Sequence, residues 1–416
     1  MLSIKPIPRA LVPVNSDAAQ RLSDRNYDEF QGDEEIWSRL QAAPDSILRV
    51  TMAHCAAPQV DALLQDGSPE ALARSTANME ALTAGADTRE VNDALWIYEI
   101  ISPARPGVRQ IGLGCMASTA QIRTAETPEG TIIRNEGIRE KKAAGRAQLI
   151  QATQSYIGVV NNAFEDGDGS TTAALEALAD TRPADFTVVD EKGNTHRSWL
   201  ETDAAVVADL TARMASIRCA YVADGNHRSA AAAHLGRGHF LTVFFPTDRM
   251  GLLPYNRLVS TLNVTTTGQA NRTEAFLAAL SADFEYVACD GVPRLDLQEI
   301  GLYLDGRWTK LTARTHTYDP TNAVEVIDAD IVQRRIFDHL MDITDARDPR
   351  LTFVGGDRPA EYLAGRVDAG EFEFALLMAP VTMQQIVDVC EQDRFMPPKS
   401  TWFEPKIRIG LVIALF

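Results

Sequence analysis

The chain has 416 residues, 45% of them hydrophobic and 23% charged; this is the composition of a folded globular protein, and too long for one ordinary core. Its formal net charge of −17 argues against broad binding to nucleic acid or anionic membrane, since either needs a basic face to neutralise phosphates. No apolar run reaches the length of a membrane span and the N-terminus lacks the apolar core of a signal peptide, so a cytoplasmic protein is expected.

In chain order, "DEEIWSRLQAA" has helical spacing, "SILRVTMA" reads as a strand, and "SPEALARSTANMEALTAG" reads as a helix capped by Ser68 with Pro69 at its first position. "ALWIYEII", "RQIGLGCMAS" and "TIIRNEGI" follow at hairpin-like spacing and suggest antiparallel strands. "REKKAAGRAQLIQATQSYI" predicts an amphipathic helix with apolar positions at Leu149, Ile150 and Ile157. A polar break, "EDGDGSTT", precedes a hairpin arm, "FTVVDEKG", and a helix, "ETDAAVVADLTARMASI". "HFLTVFFPTD" is apolar enough for a buried strand. Beyond residue 270 come a helix ("NRTEAFLAALSADF"), strands in "EIGLYLDGRWTKLTA" with a turn at Asp305-Gly306, and helices around "VQRRIFDHLMD" and "TMQQIVDVCEQD". Helices and strands interleave throughout, so the class is α+β or mixed α/β.

The five cysteines (Cys55, Cys115, Cys219, Cys289, Cys390) form no CxxC pair and read as reduced thiols, mostly small core residues. With no HExxH and no EF-hand loop either, a structural metal is not expected.

The stretch richest in chemistry is "CAYVADGNHRSAAAAHLG", Cys219 to Gly236. It reads as strand, Asp224-Gly225 turn, then helix closed by Gly236. A strand–turn–helix junction presents backbone N–H groups and the positive end of a helix dipole to an anion. Arg228 adds a guanidinium fork for phosphate or carboxylate, and His227 a group that titrates near neutrality. Asp224 is placed either to hold a metal ion or to orient His227. The same residues also suit a plain turn in which Asp224 or Asn226 caps the helix.

Three other segments stand out. "LLPYNRLV" places Asn256 and Arg257 between apolar flanks, where they either reach an anion or satisfy a strand end. "RFMPPKSTWFEPKIRIGLVI" offers Lys399, Ser400 and Thr401, then Lys406 and Arg408, a local concentration of cations in an acidic chain; it suits an anion site or a solvated loop of charge pairs. "TIIRNEGIREKK" carries Glu136, a general base if partly buried and an ordinary hairpin glutamate if not. "FVGGDR" has a glycine pair after a strand but lacks the spacing of a nucleotide-binding glycine loop.

Together, "YVADGNHRSAAA", "FFPTDRMGLLPYNRLV" and "MPPKSTWFEPKIRIGLV" resemble a large, poorly characterised bacterial family whose members often carry the label ParB/SpoOJ-like and have Asp-Gly-His-His-Arg at the central turn. The resemblance spans nearly the whole chain. It implies a core similar to the ParB/sulfiredoxin fold, within residues 91–268, flanked by an N-terminal mixed α/β region (1–90) and a C-terminal α/β region (269–416) that contributes to the site. Relatives in that fold include free serine kinases, which phosphorylate L-serine from ADP or ATP. In them a His-Glu pair supplies the base, and the Asp-Gly-His-His-Arg turn binds nucleotide phosphates and metal.

Carried over by resemblance, Glu136 is the base and Asp224 the Mg²⁺ ligand. His227 acts beside them, and Gly225, Asn226, His227, Arg228 and Ser229 cradle the phosphates of ATP or ADP. Asn256, Arg257, Lys399, Ser400 and Thr401 would bind a small serine-like substrate, on the strength of their chemistry rather than of the kinase motif. The chain departs from the pattern at Asn135 and Asn226, where histidines are expected. Asparagine donates a hydrogen bond but carries neither charge nor proton. A non-catalytic nucleotide- or phosphoserine-binding regulator therefore stands beside the kinase. A ParB-like DNA-binding protein would need a basic helix-turn-helix, which the chain lacks. A sulfiredoxin-like reductase would need a cysteine where Asn226 stands, and is rejected. Self-association stays open.

Overall fold

The computed structural model describes residues 1–262 and 272–416. The expected boundary at 268–269 and the start of the helix at Asn271 lie outside the described residues. The protein is mixed α/β and divides into two compact units. The first comprises Met1–Arg134, Ile138–Met250 and Pro405–Phe416; the second comprises Asn135–Gly137 and Gly251–Glu404. This division differs from the three consecutive regions expected. The last twelve residues return to the first unit because the C-terminal strand Ile413–Leu415 pairs with the N-terminal strand β1 (Ile7–Pro13).

The first unit is built on one large sheet. Its strands are β1, β2 (Thr88–Ile101), β3 (Arg109–Ser118), β4 (Ile132–Arg134), β5 (Val160–Phe164), β6 (Thr195–Glu201), β7 (Ala220–Asp224) and β8 (His239–Pro246). The path runs β4-β7-β5-β8-β3-β2-β1, then Ile413–Leu415, then Ser155–Tyr156; β6 pairs with β2. Ser155–Tyr156 and β5 are six strand spacings apart on this path, roughly 29 Å if the sheet were flat. Yet only four residue steps join Tyr156 to Val160, roughly 14 Å of extended chain. The sheet therefore coils back on itself.

Three expectations are corrected here. "SILRVTMA" is helical, with an α-turn over Leu48–Thr51 and a 3₁₀ turn over Ala53–Cys55. Leu48, Val50, Met52 and Cys55 are all buried in one cluster with Ile36, Leu40 and Met79, while Arg49 between them is exposed; the alternation Leu48-Arg49-Val50-Thr51-Met52 reads as a strand, and tertiary packing overrides it. β4 is not a third hairpin strand. It pairs in parallel with β7, with Arg134 opposite Val222. The amphipathic helix ends earlier than expected. Helix α2 (Glu140–Thr153) stops at Gln154, which takes left-handed φ of 49°, so Ile157 lies beyond it in buried extended chain. Where signals are local, sequence and structure agree. Helix α1 (Pro69–Ala84) has Ser68 Oγ accepting from the Ala71 N–H at 3.2 Å, and β2 and β3 are antiparallel neighbours.

The second unit carries a six-stranded antiparallel sheet, in the order Phe284–Cys289, Arg307–Ala313, Glu299–Leu304, Phe374–Met378, Tyr255–Val259, Leu351–Gly355. Successive residues serve opposite faces: Val259 packs with Phe276, Phe337 and Phe374, whereas Leu258 packs with Tyr303, Trp308 and Leu363. Among the described residues, no helix is long and apolar enough to cross a membrane. All five cysteines are free thiols, four of them buried.

Candidate functional site

In the first unit, β7 runs into helix α3 (Asn226–His234) through Gly225, which adopts φ of +104°. That conformation favours glycine. A Cβ there would also stand 3.0 Å from Arg228 Nε and 3.3 Å from Val160 Cα. The N-cap residue Gly225 has no side chain with which to cap α3, and the N-terminal end of the helix points the positive end of its dipole at the turn. Gly236, at φ of +63°, closes the helix as expected.

Arg228 is 7% exposed. Its guanidinium donates to the Val159 carbonyl and, at 3.0 Å, to Asp224 Oδ1. Lys406 Nζ donates to the other oxygen, Asp224 Oδ2, at 3.2 Å. Burial opposes the Arg228 charge, but Asp224 and its acidic neighbours outweigh it and hold its pKa above the ordinary value. The trio carries a net positive charge. Lys406 is held there by the segment it belongs to. The Arg408 guanidinium donates to Ser23 O at 3.0 Å and to Glu191 at 3.1 Å, and its backbone N–H donates to Tyr98 Oη at 3.2 Å. Tyr98 Oη lies 2.8 Å from His196 Nδ1, and His196 Nε2 lies 3.3 Å from Asp190.

This arrangement bears on the expected Mg²⁺ ligand. Both Asp224 oxygens already face cations, so the carboxylate as folded does not fit a resident Mg²⁺, and no step is derived through one. His227 Nε2 accepts the Arg139 N–H at 3.0 Å. A ring nitrogen that accepts carries no proton, so His227 is the neutral Nδ1–H form and caps α2. Ser229 is fully buried and donates to Asn226 O at 2.9 Å, a hydrogen bond inside the helix.

A narrow, largely apolar cleft opens beside Arg228, walled by Tyr27, Ile150, Tyr156, Ile157 and Phe240. Arg146 stacks over the Tyr27 ring at 3.8 Å. The segment carrying Tyr27 also brings Glu29, which the sequence reading did not single out. Burial pushes the Glu29 carboxyl up from 4.5 to about 8, against the pull of Lys406. Above an ordinary carboxyl pKa the native protein thus keeps a proton that the unfolded chain releases. Glu29's contribution to stability is full below about pH 4.5 and is lost as pH rises through about 8, by up to about 1.4 kcal/mol per pH unit. Glu29→Gln should flatten that decline and raise the melting temperature at pH 8 relative to wild type. Thermal melts of both proteins from pH 5 to 8.5 check this.

The remaining expected residues belong to the second unit. Asn135 O accepts the Met396 N–H at 2.9 Å, and Glu136 bridges Met396 in parallel, beside the start of the Pro-Pro-Lys-Ser-Thr segment. Arg257 is buried. It donates to Tyr255 O and, at 3.2 Å, to Lys399 O, and burial pushes its pKa down to about 10. Lys399 Nζ donates to Tyr255 Oη at 3.2 Å, and Lys399 itself takes φ of 61°. Asn256 Oδ1 accepts from the Met378 N–H at 3.0 Å, holding two strands together, and Ser400 Oγ donates to Pro397 O at 2.7 Å. Thr401 is half-buried. The expected residues thus form two groups, with Asp224–Ser229 in the first unit and Glu136, Asn256, Arg257 and Lys399–Thr401 in the second.

The chain belongs to the family described as "Protein of unknown function (DUF1015)", whose pattern it matches over residues 4–333. No curated protein matches it. Solved structures similar to it include a free serine kinase in complex with AMP, at 10% identity and TM-score 0.35, covering 66% of this chain and 83% of that one. SbnI with a C-terminal truncation, from Staphylococcus aureus, is similar at 9% identity and TM-score 0.38, covering 69% and 85%. A conserved hypothetical protein from Pyrococcus furiosus is similar at 10% identity and TM-score 0.34, covering 67% and 89%.

Proposed function

We propose that this DUF1015 protein is a nucleotide-dependent phosphotransferase acting on a small hydroxyl acceptor of the serine class. The observation that carries the reading is the α3 N-terminus at Gly225, flanked by the Arg228–Asp224–Lys406 trio and opening on an aromatic and aliphatic cleft. Phosphates need the donors and the net positive charge, and a nucleobase needs the apolar wall with a stacking partner. Phosphoryl transfer asks a protein for positioning and charge neutralisation more than for covalent chemistry.

In this reading Gly225, Asn226 and the first turn of α3 hold the phosphates of ATP or ADP. Arg228 and Lys406 set the local potential, and Tyr27 with Arg146 flanks the base. The resemblance, rather than any distance in the structure, gives Glu136 the role of the base that takes the proton from the acceptor hydroxyl, whose oxygen forms the new bond to phosphorus as the bond to the departing nucleotide, ADP from ATP or AMP from ADP, breaks.

One observation favours a second reading. His227 is spent as a neutral acceptor on Arg139 N–H, and Asn135 and Asn226 carry no charge, which suits a protein that binds nucleotide or phosphoserine without turnover. Isothermal titration with AMP, ADP and ATP, followed by product analysis after L-serine is added, separates the two. Micromolar nucleotide binding with turnover supports the enzyme, and binding without turnover supports the sensor. No binding of any nucleotide removes the enzyme and leaves a phosphoserine sensor, which titration with O-phosphoserine then tests.

A further inference from the structure

A second cluster of chemically competent side chains lies in the first unit and shares no residue with the site above. Asp33 opens the helix Asp33–Ala42, and His54 and Cys55 sit in the 3₁₀ turn Ala53–Cys55. Asp66 lies in the loop before α1. One ligand atom from each of Asp33, His54 and Cys55 lies within 4.8 Å of the others. His54 is 2% exposed and Cys55 fully buried.

The second, independent observation is the state of the imidazole. His54 Nε2 is buried without a hydrogen-bond partner, although Asp33 Oδ1 lies 3.3 Å away. A buried ring nitrogen left in that state is costly. The spacing has another physical meaning. Two ligand atoms each about 2.0–2.1 Å from a tetrahedral ion stand roughly 3.3 Å from one another. On the opposite side of the ring, His54 Nδ1 lies 3.6 Å from Asp66 Oδ1, the side on which metal-bound histidines receive an orienting carboxylate.

The turn that presents these atoms is braced from outside. The Arg74 guanidinium donates to Ala53 O at 3.2 Å and to Ala56 O at 2.6 Å, while Trp37 Nε1 donates to Ala57 O at 3.0 Å. We propose that Asp33, His54 and Cys55 bind a zinc-class divalent cation, with Asp66 orienting the imidazole. A thiolate, an imidazole and a carboxylate together select Zn²⁺ over Mg²⁺ or Ca²⁺, which take oxygen ligands. Two anionic ligands balance the ion's charge. The Asp33 side chain is 54% exposed, so the fourth position faces solvent and takes water.

The test is metal analysis of the purified full-length protein, joined to titration of the metal-free protein with Co²⁺ as a coloured substitute for Zn²⁺. One equivalent of Zn²⁺ per chain and a thiolate-to-cobalt charge-transfer band are expected. Cys55→Ser should abolish the band while Cys289→Ser leaves it unchanged. Asp33→Asn, at an exposed position, should weaken Zn²⁺ binding at least about tenfold without unfolding the protein, and Asp66→Asn should weaken it by about 10–100-fold. Folded wild-type protein that takes up no equivalent of either metal overturns the proposal. So does an unchanged affinity in Asp33→Asn.

Discussion

Asparagine in place of Asp224 is expected to cost the first unit about 3–5 kcal/mol of stability. The carboxylate is the shared counter-charge of Arg228, 7% exposed, and of Lys406. The amide keeps one oxygen as an acceptor but removes the negative charge, so the buried guanidinium loses its nearest counter-charge while Lys406 stays beside it. Burial already works against the Arg228 charge, and Asp224 is the leading influence that restores it, so the loss lands on the arginine. Lys406→Met should cost less, because Arg228 keeps its partner. Urea denaturation of the two variants measures the difference. A cost below about 1 kcal/mol for Asp224→Asn would mean that the trio is solvated and is not the rigid wall of a phosphate site.

The second large effect is expected at Glu136. If its carboxylate takes the acceptor proton, Glu136→Gln removes the base but keeps the side-chain volume, and turnover should fall by about 10²–10⁴-fold. Nucleotide affinity should not change, because the proposed phosphate cradle draws on other residues, Gly225 to Arg228 and Lys406. A variant that loses nucleotide binding as well would instead place Glu136 in the fold or the nucleotide contact. The comparison therefore needs titration calorimetry beside the activity measurement.

The elements that could be read from sequence are those whose signals are local. Ser68 and Pro69 mark the start of α1 within two residues, and Asp224-Gly225 marks the start of α3 because only a residue tolerant of φ near +104° can make that corner. The same locality explains the failures. "SILRVTMA" alternates apolar and polar residues from Leu48 to Met52, a strand pattern too short to outweigh the packing that makes it helical. The parallel pairing of β4 with β7 joins residues nearly ninety positions apart, and the return of Ile413–Leu415 to β1 joins the two ends of the chain. No local pattern encodes either.

The site follows the same rule. Asp224, Gly225 and Arg228 sit within five residues and were visible as a turn. The partner that most changes the chemistry of Asp224 is Lys406, 182 positions away. In sequence Lys406 was only one of several cations near the terminus. Glu29 is reached from a different element again, and nothing in "NYDEF" signals a carboxyl that burial pushes up to about 8. Asp33, His54, Cys55 and Asp66 have no recognised metal-ligand spacing; the fold brings Asp33, His54 and Cys55 together through a 3₁₀ turn that begins at Ala53, where the expected strand ends.

The most direct test of the central claim is ³¹P NMR of the purified protein with Mg²⁺, L-serine and either ATP or ADP, run in parallel with Glu136→Gln. The account predicts an O-phosphoserine resonance that grows with wild-type protein and is lost in the variant. It would be contradicted by wild-type protein that binds nucleotide yet forms no phosphorylated acceptor, or by a Glu136→Gln variant that forms product at the wild-type rate.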